Sequence, residues 1–228
     1  MTEKTWQKGL KWLLGVWLTG VTAAALLWAP PAAGFQGDSF RIVFFHVPQA
    51  WVAVLAFCVN LVASLRYLRG RRPLDDARAT AAARLGLLFA ILATITGSIF
   101  AKIEWGMFWN WDPRETSIVI LLLIYAAYFA LRQAVADEER RGALAAAYAI
   151  FAFVTMPFLI FVVPRVYASL HPNLVEAARG TVRFKMDPHM RMVLLAALVG
   201  FSGLFTWLYT LEVRVARLVA ARRAQEEA

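Results

Sequence analysis

The stretch ALAAAYAIFAFVTMPFLIFVV, residues 143–163, contains no charged residue from end to end. A helix needs about 20 mainly apolar residues to cross the hydrocarbon core of a bilayer, within a range of about 17–25. Five other runs approach or meet that length, and the six together are Gly9–Ala29, Val47–Leu65, Leu85–Ala101, Pro113–Leu131, Ala143–Val163 and Met192–Leu211. The sequence therefore predicts an all-α, polytopic membrane protein with six transmembrane helices in a single membrane domain, residues 1–228.

The composition of the whole chain agrees with a membrane location. Hydrophobic residues make up 61% of the 228 residues and the mean hydropathy is +0.58, whereas soluble domains are roughly half apolar. The net charge is +9, but the cations lie between apolar runs and form no continuous basic face, so we expect no binding to nucleic acid. The single cysteine, Cys58, excludes an internal disulfide, a CxxC pair and a CxxCH haem-attachment site. No GxxxxGK[ST] motif occurs either, so any ATP-driven step must come from a partner.

The cations predict the orientation of the chain, because Lys and Arg accumulate on the cytoplasmic side of membrane proteins. Most of the 24 Lys and Arg fall on the side of the two termini: Lys4, Lys8, Lys11, Arg66, Arg69, Arg71, Arg72, Arg78, Arg84, Arg132, Arg140, Arg141, Arg214, Arg217, Arg222 and Arg223. The other side has Arg41, Lys102, Arg114, Arg165, Arg179, Arg183, Lys185 and Arg191. Both termini are therefore predicted to be cytoplasmic, and the segments 30–46, 102–116 and 164–191 to face outward.

All three histidines fall in these outward segments. His46 lies just before the second apolar run begins at Val47 and is predicted in the preceding loop. His171 precedes Pro172, which biases it to an extended conformation and so to a loop. His189 follows Pro188 and is predicted to open the sixth helix. None of the six predicted spans contains a histidine.

The stretch WGMFWNWD, residues 105–112, concentrates aromatic side chains in the second outward segment. Tryptophans at a membrane interface often form a belt, but a belt needs neither this density nor Gly106, which allows close backbone approach. If the stretch is helical, Trp105 and Trp109 share a face. We call Trp105, Phe108, Trp109 and Trp111 the aromatic shelf, and the pattern predicts that it binds a flat ligand.

The residues after the shelf predict the start of the fourth helix. Asp112 is a good N-cap, Pro113 a favoured first residue, and Glu115 completes a capping box. Arg114 is not needed to start a helix, so we expect it to pair with a carboxylate or to stack on a ring.

An aromatic shelf, loop histidines and outward cations are together compatible with haem. The porphyrin packs against aromatic or aliphatic groups, the iron binds imidazole nitrogens, and the propionates pair with Arg or Lys. Two imidazoles on opposite faces of the ring would have their ligating nitrogens about 4 Å apart. On the residues alone, haem is one hypothesis among several.

The motifs resemble a known family. WGMFWNWD resembles the WGxxWxWD signature of the haem-handling proteins of cytochrome c biogenesis, with matches at Trp105, Gly106, Trp109, Trp111 and Asp112. HVPQAW, which begins at His46, and SLHP, which contains His171, resemble the two outward histidine segments of that family. Six spans and this length are similar to the CcmC type, the haem-export subunit. WDPRET is closer to the CcsA branch, but the absence of histidines from the predicted spans favours CcmC.

The resemblance implies a haem transport and assembly factor of the bacterial inner membrane, not an enzyme. It implies b-type haem, held non-covalently at the periplasmic face on the aromatic shelf together with Gly106 and Asp112. His46 and His171 would be the axial ligands, whereas His189 would not bind iron. Candidate partners of the propionates are Arg114 first, then Arg41 and Arg165.

The implied partners are a periplasmic haem chaperone that receives the haem, an ABC ATPase, its companion permease, a small accessory membrane protein and the lipid bilayer. Three other interpretations compete with a CcmC-type exporter. They are a CcsA-like haem-delivery or cytochrome c synthetase component, a b-haem membrane oxidoreductase that uses quinone, and a permease subunit whose tryptophans form only a belt.

Overall fold

The computed structural model describes residues 5–32, 36–172, 175–178, 181–184 and 186–226. Six helical segments in this part of the chain are long and apolar enough to cross a membrane, which confirms the predicted all-α polytopic fold. Two short strands lie between the fifth and sixth of these segments. These candidate spans are Gly9–Trp28, Ser39–Gly70, Pro73–Trp105, Pro113–Ala134, Glu138–Val166 and Pro188–Glu226.

The helices extend well beyond several of the apolar runs. A hydropathy run stops at the first charges, whereas the hydrogen-bonded helix continues through them. The elements are α1 (Thr5–Ala23), a π-helical turn (Ala24–Trp28), a 3-10 turn (Ser39–Ile42), α2 (Val43–Gly70), α3 (Pro73–Trp105), α4 (Pro113–Ala134), α5 (Glu138–Pro157), a second π-helical turn (Phe158–Val162), α6 (Val163–Val166), the antiparallel strands β1 (Val175–Ala178) and β2 (Thr181–Phe184), and α7 (Pro188–Glu226).

Helix α2 lies at the centre of the bundle and packs against α3, α5 and α7. Its Phe57 stacks on Tyr125 of α4 with ring centroids 3.7 Å apart. A Cβ on Gly86 of α3 would lie 2.4 Å from the ring of Phe57, so this glycine permits the close contact of α2 with α3. Asn60 of α2 donates through Nδ2 to the carbonyl of Ala79 on α3 at 2.9 Å, as expected for a polar side chain at membrane depth.

Helix α1 packs along α7. Trp17 donates through Nε1 to the carbonyl of Ala196 at 2.9 Å, and a Cβ on Gly200 would lie 2.9 Å from the same indole. Small residues let two membrane helices approach closely, and here they position α1 on α7.

Ion pairs join the helices at the end of the bundle where α3 begins and α4 ends. Arg132 of α4 makes two hydrogen bonds of 2.7 Å to the carboxylate of Asp76 on α3, and Arg84 of α3 lies 2.6 Å from Glu212 of α7. The opposite end, where α3 ends and α4 begins, carries the WGMFWNWD stretch. We call it the Asp112 end.

Candidate functional site

The WGMFWNWD stretch does not continue helix α3. The helix ends at Trp105 because Gly106 adopts a left-handed conformation, with φ +80°. The expectation that Trp105 and Trp109 share a helical face is therefore wrong. A Cβ on Gly106 would meet no atom within 4 Å, so glycine is favoured there by its backbone angle and not by close approach. Lys102 donates to the carbonyl of Gly106 at 2.8 Å and supports this helix end.

The stretch ends at the predicted capping box. The Asp112 carboxylate accepts from the amide of Arg114 at 2.8 Å. In return, the carboxylate of Glu115 accepts from the amides of Asp112 at 3.2 Å and Asn110 at 2.7 Å. Pro113 is the first residue of α4, and the prediction of this helix start is confirmed.

Asp112 does more than cap a helix, because its side chain also binds the segment after α6. Oδ1 accepts from the hydroxyl of Ser169 at 3.0 Å, and Oδ2 accepts from the amide of Leu170 at 2.7 Å. Nδ1 of His171 lies 3.1 Å from Oδ1. Burial raises the pKa of the Asp112 carboxyl, but these donors together outweigh burial and hold its pKa below the ordinary value. The carboxylate therefore joins the start of α4 to the segment that carries His171.

This contact determines which nitrogen of His171 is available. A carboxylate can only accept, so Nδ1 carries the hydrogen and Nε2 keeps a free lone pair. Burial lowers the pKa of the His171 imidazole; Asp112 opposes this shift, Arg114 adds to it, and the net pKa lies below the ordinary value. The ring of Trp105 stands edge-on to His171, with centroids 5.3 Å apart. His171 is therefore held as a neutral imidazole against an indole.

His46 lies in the first turns of α2 and not in a loop, so that prediction is wrong. The span that contains it begins at Ser39, so the statement that no span contains a histidine is also wrong. Its Nδ1 lies 3.0 Å from the carbonyl of Ala93 and 3.1 Å from the hydroxyl of Thr96, both on α3. Since a carbonyl only accepts, Nδ1 carries the hydrogen and Nε2 keeps its lone pair, as in His171.

The two imidazoles and Arg114 form one electrostatic group at the Asp112 end. His46 interacts electrostatically with His171, and both interact with Arg114. The charge of Arg165 also interacts with that of Arg114. Two imidazoles that each present Nε2, with two guanidinium groups nearby, are a donor set that fits the iron and the carboxylates of a haem.

Arg41 lies in the 3-10 turn just before α2. Its guanidinium donates to the carboxylate of Asp38 at 2.9 Å and to the carbonyl of Ala25 at 2.7 Å. These bonds attach the start of α2 to the end of α1, which gives Arg41 a structural role.

The aromatic shelf has a partly buried part and an exposed part. Trp105 packs edge-on against Phe100 at 5.8 Å as well as against His171, whereas Phe108 is 60% exposed and Trp111 is 75% exposed. Trp109 and Trp111 are perpendicular, with centroids 5.9 Å apart. Trp111 has φ +57°, a left-handed conformation that costs a non-glycine residue about 1–2 kcal/mol. Exposed aromatic surface held in a strained turn is typical of a binding surface.

His189 lies in the first turn of α7, as predicted. Its amide and its Nδ1 both contact Asp187, at 2.8 and 3.2 Å, and its ring stands edge-on to Trp28 at 5.0 Å. Asp187 thus starts α7, and His189 participates in that helix start.

Sequence reasoning missed several residues that surround the two imidazoles. On α3 these are Ala93, Thr96 and Gly97, and on the segment after α6 they are Ser169 and Leu170. The one signal in the sequence was TGS at residues 96–98, a small polar interruption within an apolar run. An isolated glycine in a helical pattern often marks a close contact.

Comparisons with known proteins agree with the resemblance. The family model described as "Heme exporter protein C" (CcmC) matches residues 2–228. The chain is 36% identical over 180 residues to "Heme exporter protein C" of Bradyrhizobium diazoefficiens, which covers 78% of this chain and 67% of the relative. It is 31% identical to the Rhodobacter capsulatus protein of that name, over 93% of this chain and 91% of the relative, and 30% identical to the Escherichia coli K12 protein, over 85% and 76%.

Proposed function

The chain belongs to the heme exporter protein C family, and on that premise we propose that it holds b-type haem non-covalently at the periplasmic face of the bacterial inner membrane and passes it to a periplasmic haem chaperone. Family membership supports a haem-handling role in cytochrome c maturation, as a transport or assembly factor and not as a catalytic enzyme. It also supports an exporter over a CcsA-like component. A b-haem oxidoreductase usually has histidine ligands within its spans, and both His46 and His189 lie within candidate spans of this structure. Family membership therefore disfavours that function, whereas the positions of the histidines do not.

One observation carries the proposal: His46 and His171 each use Nδ1 for an oxygen acceptor of the protein, and both belong to the electrostatic group that includes Arg114. His46 bonds to the carbonyl of Ala93 at 3.0 Å, and His171 bonds to Asp112 at 3.1 Å. Histidines that ligate a metal almost always donate their other ring N–H to a carbonyl or carboxylate, which fixes the tautomer and raises ligand basicity. His46 and His171 are accordingly our axial ligands.

The surrounding groups suit the rest of the haem. We assign the propionates to Arg114 first, because it interacts electrostatically with both His46 and His171. Arg41 and Arg165 follow, and the guanidinium of each also donates to a backbone carbonyl, that of Ala25 at 2.7 Å and that of Phe161 at 2.5 Å. Trp105 beside His171 would contact the porphyrin face, and Phe108 and Trp111 lie exposed on the same stretch. Trp109 completes the shelf, while Gly106 and Asp112 determine its backbone path. A haem bound at the Asp112 end, at the edge of the bundle, would leave one edge of the porphyrin accessible to an acceptor.

The orientation and the partners follow from the charges and from the missing nucleotide motif. With the termini in the cytoplasm, the Asp112 end faces the periplasm. An ABC ATPase and its companion permease would supply the ATP-driven step, and a small accessory membrane protein would complete the assembly.

The direct test is a pyridine haemochrome measurement on the purified chain and on three histidine variants. His46→Ala and His171→Ala should each lower the haem content and change the absorbance spectrum. His189→Ala is the matched control, because His189 also bonds through Nδ1 to a carboxylate, that of Asp187. Its haem content should equal that of the unmodified chain.

Two results would contradict the proposal. The first is a chain that takes up no haem even with haem supplied and its partners present, which favours a permease subunit with an aromatic belt. The second is loss of haem in His189→Ala alone. Transfer is tested separately, by co-expression with the periplasmic chaperone. Both ligand variants should then reduce the covalent haem found on that chaperone.

A further inference from the structure

The imidazole of His46 rests against one face of α3. Nδ1 lies 3.0 Å from the carbonyl of Ala93, and the hydroxyl of Thr96, one turn further along the helix, lies 3.1 Å from the same nitrogen. The Thr96 hydroxyl also lies 3.4 Å from Oε1 of Gln49, which is on α2 with His46. Polar groups therefore join α2 to α3 around the ring inside a candidate span, where such groups are costly and usually functional.

Gly97 makes this contact possible. A Cβ on Gly97 would lie 3.0 Å from Cε1, 3.5 Å from Nδ1 and 3.9 Å from Nε2 of His46. The 3.0 Å distance is shorter than an ordinary carbon–carbon contact of 3.5–4.0 Å. A Cβ at this position would require the ring to shift by a few tenths of an ångström, and a larger side chain would require a larger shift. The helical glycines Gly15 and Gly20 of α1 differ, because a Cβ there would meet no atom within 4 Å.

We propose that Gly97 is a positioning residue for the ligand His46: its missing side chain lets the imidazole reach the Ala93 carbonyl, which fixes the Nδ1–H tautomer and directs Nε2 to the haem. The assignment of His46 as a ligand rests on the proposed function. The placement of the ring against Gly97 does not, so the two can fail separately.

The first test uses the haem-free chain. Only three histidines occur in the sequence, so an isotope-labelled (¹⁵N) histidine spectrum in detergent can be assigned with single His→Ala variants. His46 should show the Nδ1–H tautomer in the unmodified chain and a mixture of tautomers in Gly97→Val. In Gly97→Ala the fraction of the Nδ1–H tautomer should be intermediate, because the ring has to move by only a few tenths of an ångström.

The second test uses haem. Loss of a group that orients a metal ligand typically lowers affinity about 10–100-fold. We expect about a tenfold loss in Gly97→Val, a smaller loss in Gly97→Ala, and a changed electron paramagnetic resonance signal of the ferric haem. Gly20→Ala and Gly20→Val are the matched controls, since they add the same groups to a helix at a position with open space. Both should bind haem like the unmodified chain.

The inference is overturned if His46 is protonated on Nε2 in the unmodified chain, or if Gly97→Val leaves its tautomer unchanged. It is also overturned if the Gly20 variants disturb His46 as strongly as the Gly97 variants do. If His46 shows the expected Nδ1–H tautomer but the chain binds no haem, the proposed function is contradicted and the inference about Gly97 is not. Thermal unfolding of each variant separates a displaced ring from a misfolded chain.

Discussion

His46 and His171 present the same nitrogen but are held by different kinds of structure. His46 lies on a long helix and bonds to the body of another, at the carbonyl of Ala93. His171 follows α6 in a segment without regular helix, and it is bonded to Asp112 at the start of α4. The acceptor is main chain in the first case and a single side chain in the second.

The difference predicts unequal sensitivity to mutation. No substitution removes a backbone carbonyl, and Ala93 lies where the packed helices α2 and α3 fix its position. The Asp112 carboxylate, in contrast, receives donors from Arg114, Ser169, Leu170 and His171. One change at that side chain releases all of them. We therefore expect the His171 side to be the weaker of the two, which suits the haem transfer that we propose.

Asp112→Ala should have the largest effect. It removes the acceptor of His171 and the N-cap of α4 together. We expect haem affinity to fall about 10–100-fold, as for other groups that orient a metal ligand. Loss of the cap should lower the free energy of unfolding by about 1 kcal/mol. Haem titration and thermal unfolding measure the two effects.

Asp137→Ala is the matched control for that prediction. Asp137 caps α5 by accepting from the amide of Arg140 at 2.7 Å, but it lies at the other end of the bundle. The free energy of unfolding should fall in Asp137→Ala by about as much as in Asp112→Ala, whereas the haem affinity should not change. Equal haem loss in the two variants would mean that Asp112 acts only through helix stability, and the comparison between the histidines would then fail.

Asp112→Asn separates the charge from the hydrogen bond, because asparagine caps a helix as well as aspartate does. A bond to a neutral acceptor is weaker by about 1 kcal/mol, which corresponds to about fivefold in haem affinity. Burial lowers the pKa of His171 and the charge of Asp112 partly opposes that shift. The pKa of His171 should therefore fall further in Asp112→Asn.

The sign of this effect can be checked on the haem-free chain. The unfolded chain takes up a proton at this histidine below about pH 6.5, whereas the folded chain does so only at lower pH. Acidification through that range should thus destabilise the fold, and Asp112→Asn should extend the range downward. A histidine NMR titration with thermal unfolding measures both. A pKa that rises in Asp112→Asn would contradict the assigned contact.

The features that were predicted from sequence are local ones. Six apolar runs gave the spans, and the order Asp112, Pro113, Glu115 gave the start of α4. The helical position of His46 was missed because the second apolar run was taken to begin at Val47, which left the histidine just outside it. In the structure the 3-10 turn Ser39–Ile42 starts the helix earlier.

The contacts that orient both imidazoles join distant parts of the chain, and one sequence cannot reveal them. Asp112 and His171 are 59 residues apart, and His46 and Ala93 are 47 apart. The left-handed Gly106 was visible as a glycine, but its effect was to end α3 and not to bring a ligand close. The residue types were therefore predictable, whereas their partners were not.

Ser169→Ala should have a smaller effect than either Asp112 variant. It removes a donor to the Asp112 carboxylate at 3.0 Å and an acceptor for the amide of His171 at 3.2 Å. The loss of about 1 kcal/mol per bond is partly compensated by the Leu170 amide, so we expect haem affinity to fall about threefold. Ser64→Ala is the control, because Ser64 lies about 27 Å along α2 from His46. An unchanged affinity in Ser169→Ala would show that Asp112 holds His171 without this hydroxyl.

Thr96→Val should have the smallest effect and tests the comparison most directly, because it removes one hydroxyl from the His46 side as Ser169→Ala does from the His171 side. The Ala93 carbonyl still accepts from Nδ1, so we expect haem affinity to change by about twofold or less. Thr94→Val is the matched control, since Thr94 makes the same kind of bond to its own helix, at 2.8 Å to Ala90. If Thr96→Val instead weakened haem binding more than Ser169→Ala, His46 would depend on a side chain as His171 does. The Ala93 carbonyl alone would then not be sufficient to orient the His46 imidazole.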